Sequence, residues 1–409
     1  MLVFGGTGDL ALHKLLPALY HLHREGRLHA DVRILALARS SHSREAYQAL
    51  AERHCRAQVA RADFANETWA SFAARLDYFA MDAAQSADFG RLAKRLGRDE
   101  QRVRVYYLAT APSLFEDIAA HLANAGLAGP AARIVLEKPI GHSLASAQAI
   151  NATIGRVFSE AQVFRIDHYL GKETVQNIMV TRFSNGFFEP IWNRKYIQRI
   201  EITASEKIGV GNRGGYYDTS GAMRDMIQNH LLQVLAVVAM EPPAVFDSDS
   251  IRNETVKVLQ ALRPIKAGEV AENVVRGQYI SSQIGDDIQK GYRQETGVAA
   301  NSKTETFVAM KVFIDNWRWG EVPFFIRTGK QLPERVTEVV IHLKPAPHQL
   351  FKQLCLTEPN NMIILRIHPD AGVAIDFGMK IPGAGFKVQN VNMAFHYSDL
   401  ADKKIAEAY

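Results

Sequence analysis

The stretch FRIDHYLGKE (residues 164–173) gathers Asp167, His168, Tyr169, Lys172 and Glu173, a set able to move a proton and to hold an anion. If the preceding strand persists through 168, Asp167 and His168 point to opposite sides and serve different partners. If a helix starts near Tyr169, His168 and Lys172 fall about one turn apart and make a clamp for a phosphate dianion. A second stretch, GYYDTSGAMRDMIQNHLLQ (215–233), reads as a helix carrying Asp225, Asn229 and His230 among apolar neighbours. On a regular α-helix Asp225 and His230 stand about 140° apart, so they border one ligand only if it lies across the helix. His230 becomes useful as a base only with a carboxylate supplied from elsewhere.

At the start of the chain, VFGGTGDLALHK (3–14) has glycines out of step with the dinucleotide fingerprint G-x-G-x-x-G. Gly5, Gly8 and Ala11 sit three apart, in a looser form that fits a strand, a sharp turn and a helix. Gly5, Gly6 and Gly8 then let a pyrophosphate approach backbone N–H groups at the helix start. The next apolar run ends LALARSS, so Arg39 stands where a carboxylate would favour NAD, and the pattern favours NADP. EKPIG (137–141) follows the run ARIVL and puts Lys138 at the C-terminal edge of a parallel sheet, in reach of both a nicotinamide and a polar substrate. Pro139 makes a rigid turn there, open to a cis bond.

The elements that position these residues follow two rhythms. LVF, VRILALA (32–38), LDYFAM (76–81), VRVYYLA (103–109) and ARIVLE (132–137) are apolar with little alternation and are separated by amphipathic, Ala-rich helical stretches. That is the pattern of βαβ units in a parallel sheet buried on both faces. After about residue 175, IQRIEITAS (197–205), TFVAMKVFID (306–315), MIILRIH (362–368) and NVNMAFHY (390–397) alternate, which predicts an antiparallel sheet with one free face. One helix, roughly Ser220 to Met240, interrupts it. The expected fold is α/β plus α+β: a Rossmann-type, doubly wound parallel sheet over residues 1–168, then an α+β domain with a large, mainly antiparallel sheet over 169–409. The boundary falls near 165–175, and no repeat or low-complexity linker intervenes.

Composition narrows the function classes. A chain of 409 residues with 47% hydrophobic and 22% charged residues builds a core without staples, and Cys55 and Cys355 lie far apart, so a cytoplasmic location is expected. The net charge of +5 is scattered and lacks the stripe a nucleic-acid groove requires. LLQVLAVVAM (231–240) is about half the length of a membrane span, and residues 1–5 lack the regions of a signal peptide, so neither is expected.

Taken together, GGTGDLALHKLLP, EKPIG, RIDHYLGKE, GYYDTSGAMRDMIQNHLLQ and RTGKQLPER resemble bacterial glucose-6-phosphate dehydrogenases across essentially the whole chain. RIDHYLGKE followed by DMIQNHLLQ is the most specific part. The resemblance implies oxidation of the C1 hydroxyl of β-D-glucose 6-phosphate to 6-phospho-D-glucono-1,5-lactone. The hydride goes to NADP, with NAD a weaker alternative, in the first step of the oxidative pentose phosphate pathway. It implies that His230 is the general base and Asp167 the carboxylate that orients it. It assigns His168, Tyr169 and Lys172 to the phosphate, Glu206 and Asp225 to the sugar, and Lys330 and Arg335 to further substrate positions. Lys14 and Lys138 lie between substrate and coenzyme. Coenzyme contacts are implied for Gly5, Gly6, Thr7, Gly8, Asp9 and Leu10 in the opening loop, and for Arg39, Asp82 and Lys138 beyond it. The family implies a homodimer or homotetramer and no metal.

Beside that family the start before VFGG reads as short and the end at LADKKIAEAY as lacking further helices that complete the second domain, so a truncated member is expected. Two other readings compete: a sugar or inositol dehydrogenase of the wider oxidoreductase group, for which RIDHYLGKE has no explanation, and a non-catalytic remnant that keeps coenzyme or subunit binding without turnover.

Overall fold

Alternate residues of the opening strand point into different cores. In the computed structural model, which describes residues 1–97, 101–284, 287–348, 350–355 and 361–400, β1 is Leu2–Phe4. It is followed by α1 (Leu16–Arg24), β2 (Ile34–Ala38), α2 (Arg44–Gln58), α3 (Asn66–Ala73), β3 (Leu76–Ala80) and α4 (Ser86–Leu96). Then come β4 (Arg104–Leu108), α5 (Phe115–Asn124), β5 (Ala132–Leu136), α6 (Leu144–Val157) and β6 (Val163–Arg165). Leu2 and Phe4 pack with Phe89 of α4 and Ile118 of α5, whereas Val3 packs with Tyr20, Tyr47 and Phe72 of α1 to α3. Helices thus cover both faces, and the strands read as apolar runs because neither face meets water. All pairings are parallel in the order β3-β2-β1-β4-β5-β6. The order reverses between β1 and β4, which opens the crevice where ligands of such sheets bind.

Contacts divide the chain into one unit of Met1–Asp167 and a second that starts at His168. The second contains α7 (Glu173–Phe183), β7 (Ile197–Ser205), α8 (Gly214–Ala222), α9 (Leu232–Ala239) and α10 (Ser248–Gln260). Among the described residues the strands that follow are β8 (Val274–Gly277), β9 (Ser282–Ile284), β10 (Asp287–Gln289), β11 (Phe307–Val312), β12 (Phe324–Gly329), β13 (Val336–Leu343), β14 (Met362–His368), β15 (Gly372–Lys380) and β16 (Val388–His396). Apart from the β9–β10 hairpin, they join β7 in an eight-stranded sheet of order β16-β15-β14-β13-β7-β12-β11-β8. Every pairing is antiparallel except β7 with β12. The expected pair of sheets, one parallel and one mainly antiparallel, is therefore present.

The apolar run LLQVLAVVAM lies inside this unit as α9, with Val234 to Met240 buried against Ile200, Ile202 and Ile326 of the sheet. Burial of a helix end leaves carbonyls to satisfy. Arg182 donates to those of Val237, Val238 and Met240, Trp192 to Val238 and Trp319 to Ala239. Among the described residues no helix is long and apolar enough to cross a membrane.

Two local expectations are corrected. FRIDHYLGKE is neither strand nor helix at its centre: β6 ends at Arg165, α7 begins at Glu173, and a turn closed by Lys172 N–H to Tyr169 O at 3.1 Å lies between. The helix expected from Ser220 to Met240 begins at Gly214 and kinks at Gly221, which has φ of 71°. It then continues as a π-helix over Met223–Leu231 before α9. Glu305 fixes the kink: its carboxylate accepts from Met223 N–H at 3.1 Å, and its carbonyl from Ala222 N–H at 3.0 Å.

Candidate active site

In the first unit, Gly5 and Gly6 are used by the protein itself. Both N–H groups donate to Leu37 O, at 2.9 and 3.0 Å, which ties the loop to the end of β2. Gly5 has φ of 76°, and a Cβ on it would lie 2.3 Å from Ala109 O at the end of β4; one on Gly6 would lie 2.6 Å from the Ala36 Cβ. At Gly5 and Gly6 the lack of a side chain therefore also serves backbone conformation and strand packing. Gly8 is exposed and donates to Gly5 O at 2.8 Å. No bond among the described residues occupies the N–H groups of Thr7, Asp9 and Leu10, the donors at the start of the following helix.

That helix opens with a π turn, Ala11–Leu15, ahead of Pro17, which has no N–H to give to the carbonyl four residues back. Lys14 is exposed on this turn. Arg39 is exposed just past β2 and makes no ion pair among the described residues. Asp82 organises the turn after β3: its carboxylate accepts from Ala84 N–H at 3.0 Å, and its own N–H donates to Asp88 at 2.7 Å. Lys138 is half-buried beyond β5, and the peptide to Pro139 is cis. Glu137 beside it is buried and accepts from the Tyr107 hydroxyl.

In the second unit, His230 is fully buried among rings. Tyr169 stacks on it at 4.4 Å between centroids with planes 15° apart, and His168 meets it edge-on at 4.3 Å. The Lys172 ammonium lies 4.2 Å over the Tyr169 ring. The turn rather than a helix thus brings His168, Tyr169 and Lys172 together. In the π stretch the bonds run from residue i to i+5, as Leu232 N–H to Ile227 O does. Residues five apart then lie about one turn apart, so Asp225 and His230 share a face. The 140° separation of a regular helix does not apply.

A second group continues from Asp225. Tyr216 donates to its carboxylate at 3.4 Å. The parallel register of β7 and β12 pairs Ser205 with Gly329, so the next residue of each strand, Glu206 and Lys330, meet as an ion pair. The Lys330 ammonium also lies 5.4 Å from the centre of the Tyr217 ring. Burial first, then the Asp225, Glu206 and Glu305 carboxylates, push the Tyr217 phenol well above its ordinary range. Tyr216 and Tyr217 were not singled out from the sequence, although both stand in the quoted GYYD segment. Arg335 is exposed on the loop after Lys330.

The arrangement offers a buried imidazole, a lysine one ring away from it, and a carboxylate–lysine pair able to bind hydroxyls. The sequence matches the family model "Glucose-6-phosphate dehydrogenase, NAD binding domain" over residues 2–177 and "Glucose-6-phosphate dehydrogenase, C-terminal domain" over 179–409. The glucose-6-phosphate 1-dehydrogenase of Aggregatibacter actinomycetemcomitans is 46% identical over 100% of this chain and 83% of its own length. That of Mycolicibacterium smegmatis is 43% identical, with the same shares of 100% and 83%. A solved glucose-6-phosphate dehydrogenase in complex with its substrate glucose-6-phosphate matches with a TM-score of 0.90 at 34% identity, over 100% of this chain and 83% of that one.

Proposed function

This chain belongs to the glucose-6-phosphate dehydrogenase family, and on that premise we propose how its residues divide the family's work. The reaction is oxidation of β-D-glucose 6-phosphate at C1 to the lactone, with reduction of a nicotinamide coenzyme. When bound, the coenzyme supplies the acceptor for the hydride that leaves C1. The first unit suits such a group: the uncommitted N–H groups of Thr7, Asp9 and Leu10 stand at a helix start by the strand-order reversal, ready for a pyrophosphate. Gly5, Gly6 and Gly8 hold that loop in shape, Asp82 and Lys138 stand just past the C-terminal ends of β3 and β5, and Lys14 follows the loop.

His230 takes the proton of the C1 hydroxyl, which makes the hydride easier to release. Asp167, the residue before His168, is in this reading the carboxylate that orients His230 and steadies the imidazolium. His168, Tyr169 and Lys172 hold the phosphate. Glu206 and Asp225 accept from sugar hydroxyls, with Lys330 and Arg335 as further cations. The observation that carries this reading is the stack of Lys172, Tyr169 and His230, which puts the base and a phosphate-binding cation two ring contacts apart.

The preferred coenzyme in this reading is NADP, with NAD the weaker one. The support is Arg39, exposed at the end of β2 and without an ion-pair partner among the described residues. Arg39→Ala removes charge-assisted hydrogen bonds to a 2′-phosphate and is expected to raise KM for NADP about 10- to 100-fold, with KM for NAD little changed. Equal effects on the two coenzymes, measured at saturating glucose 6-phosphate, would refute the assignment. Assembly of the chain as a homodimer or homotetramer in the cytoplasm belongs to the same reading. Exposed Met379, Met393 and Phe395 on β15 and β16 support the association. A single monomeric species in sedimentation velocity at micromolar concentration would contradict it.

A further inference from the structure

The peptide that carries Arg39 is held by tyrosines outside the contacts described above. Tyr78, in the middle of β3, reaches back over the end of β2. Its hydroxyl lies 3.2 Å from Ala38 O and hydrogen-bonds Ser40 O, the two carbonyls that flank Arg39. Ala38 O also accepts from Met81 N–H at 2.9 Å, and the single phenolic proton goes to Ser40 O, the nearer of the two carbonyls. The Tyr78 ring is buried, stacks on Tyr47 at 5.0 Å with planes 30° apart, and meets His42 edge-on at 5.3 Å. Tyr47, from α2, is itself buried and donates to Gly6 O at 2.9 Å. One pair of stacked rings therefore holds both the Arg39 peptide and the glycine loop.

We propose that Tyr47 and Tyr78 are positioning residues for the coenzyme, a brace in which Tyr78 sets Arg39 for a ribose 2′-phosphate and Tyr47 sets the glycine loop for the pyrophosphate. The inference rests on the reading of Arg39 given above. No ion pair among the described residues holds the Arg39 side chain in advance, so what can be fixed before the ligand arrives is its backbone. Fixing it removes that ordering cost from binding. Both phenols are pushed above their ordinary value, chiefly by burial. They remain protonated donors across the neutral range.

Tyr78→Phe keeps the ring and its stack and removes only the hydroxyl. It is expected to raise KM for NADP about fivefold, the worth of one neutral hydrogen bond, while kcat and KM for NAD stay within about twofold. Binding of adenosine 2′-phosphate to the free enzyme, followed by calorimetry, weakens by the same factor, and binding of AMP does not. Tyr47→Phe raises KM for both coenzymes alike and leaves their ratio unchanged. Arg39→Ala is run beside them. If it shifts the NADP-to-NAD ratio and Tyr78→Phe does not, the brace is wrong and the reading of Arg39 stands. If Arg39→Ala leaves the ratio unchanged, that reading fails and takes the inference with it. Should melting curves show that Tyr78→Phe does not hold its fold, Tyr47→Phe decides: unchanged KM values there overturn the brace.

Discussion

Replacing His230 by Asn lowers kcat for glucose 6-phosphate oxidation by about 10² to 10⁴, the usual span of general base catalysis, while KM changes little. Asn keeps a compact polar group in the buried site between His168 and Tyr169 but has no nitrogen able to take a proton. A loss of 10² corresponds to about 2.7 kcal/mol of transition-state stabilisation. A melting curve beside the kinetics separates this from unfolding, since an Asn in a fully buried site must also find hydrogen-bond partners. Unchanged kcat with a raised KM would make His230 a binding residue instead.

Lys172→Ala acts at the other end of the stack. Removing a cation from a phosphate dianion costs about 1.5–3 kcal/mol, so KM for glucose 6-phosphate is expected to rise about 10- to 100-fold with a smaller change in kcat. Unphosphorylated glucose never made that contact, and kcat/KM for it should hold. Steady-state rates with the two sugars give the result directly: preference for the phosphorylated substrate collapses in the variant. An unaltered KM would remove Lys172 from the phosphate site. Oxidation of glucose by the wild type with no preference for the phosphate would favour the wider sugar dehydrogenase reading.

The two sheets were legible because burial writes itself into strands. ILALA is apolar at every position since helices cover both sides of β2, whereas β14, MIILRIH in sequence, alternates buried Ile363, Leu365 and Ile367 with the more open Ile364 and Arg366. The helix geometry at the site was not legible, because apolar spacing assumes the period of a regular α-helix. The π stretch over Met223–Leu231, which puts Asp225 and His230 on one face, depends on a kink held by Glu305 from a distant segment. Glu206 and Lys330 were each readable as candidates, but their pairing is set by strand register 124 residues apart in sequence. Gly5 and Gly6 have a further reason to lack side chains that their spacing did not show, since the atoms that exclude one there belong to Ala109 and Ala36, on other strands. Tyr78 and Tyr47 gave no signal because their hydroxyls bond backbone carbonyls, and a carbonyl leaves no mark on residue identity.

The central claim is that His230 acts on the proton of the C1 hydroxyl, and deuterium at C1 of the substrate tests it most directly. In His230→Asn the slowed step should be the oxidation itself, so the account predicts that deuterated glucose 6-phosphate lowers kcat further, with an isotope effect at least as large as that of the wild type. A variant with low kcat but no sensitivity to the C1 deuterium would contradict the account, because the step His230 accelerates would then lie outside the oxidation of C1.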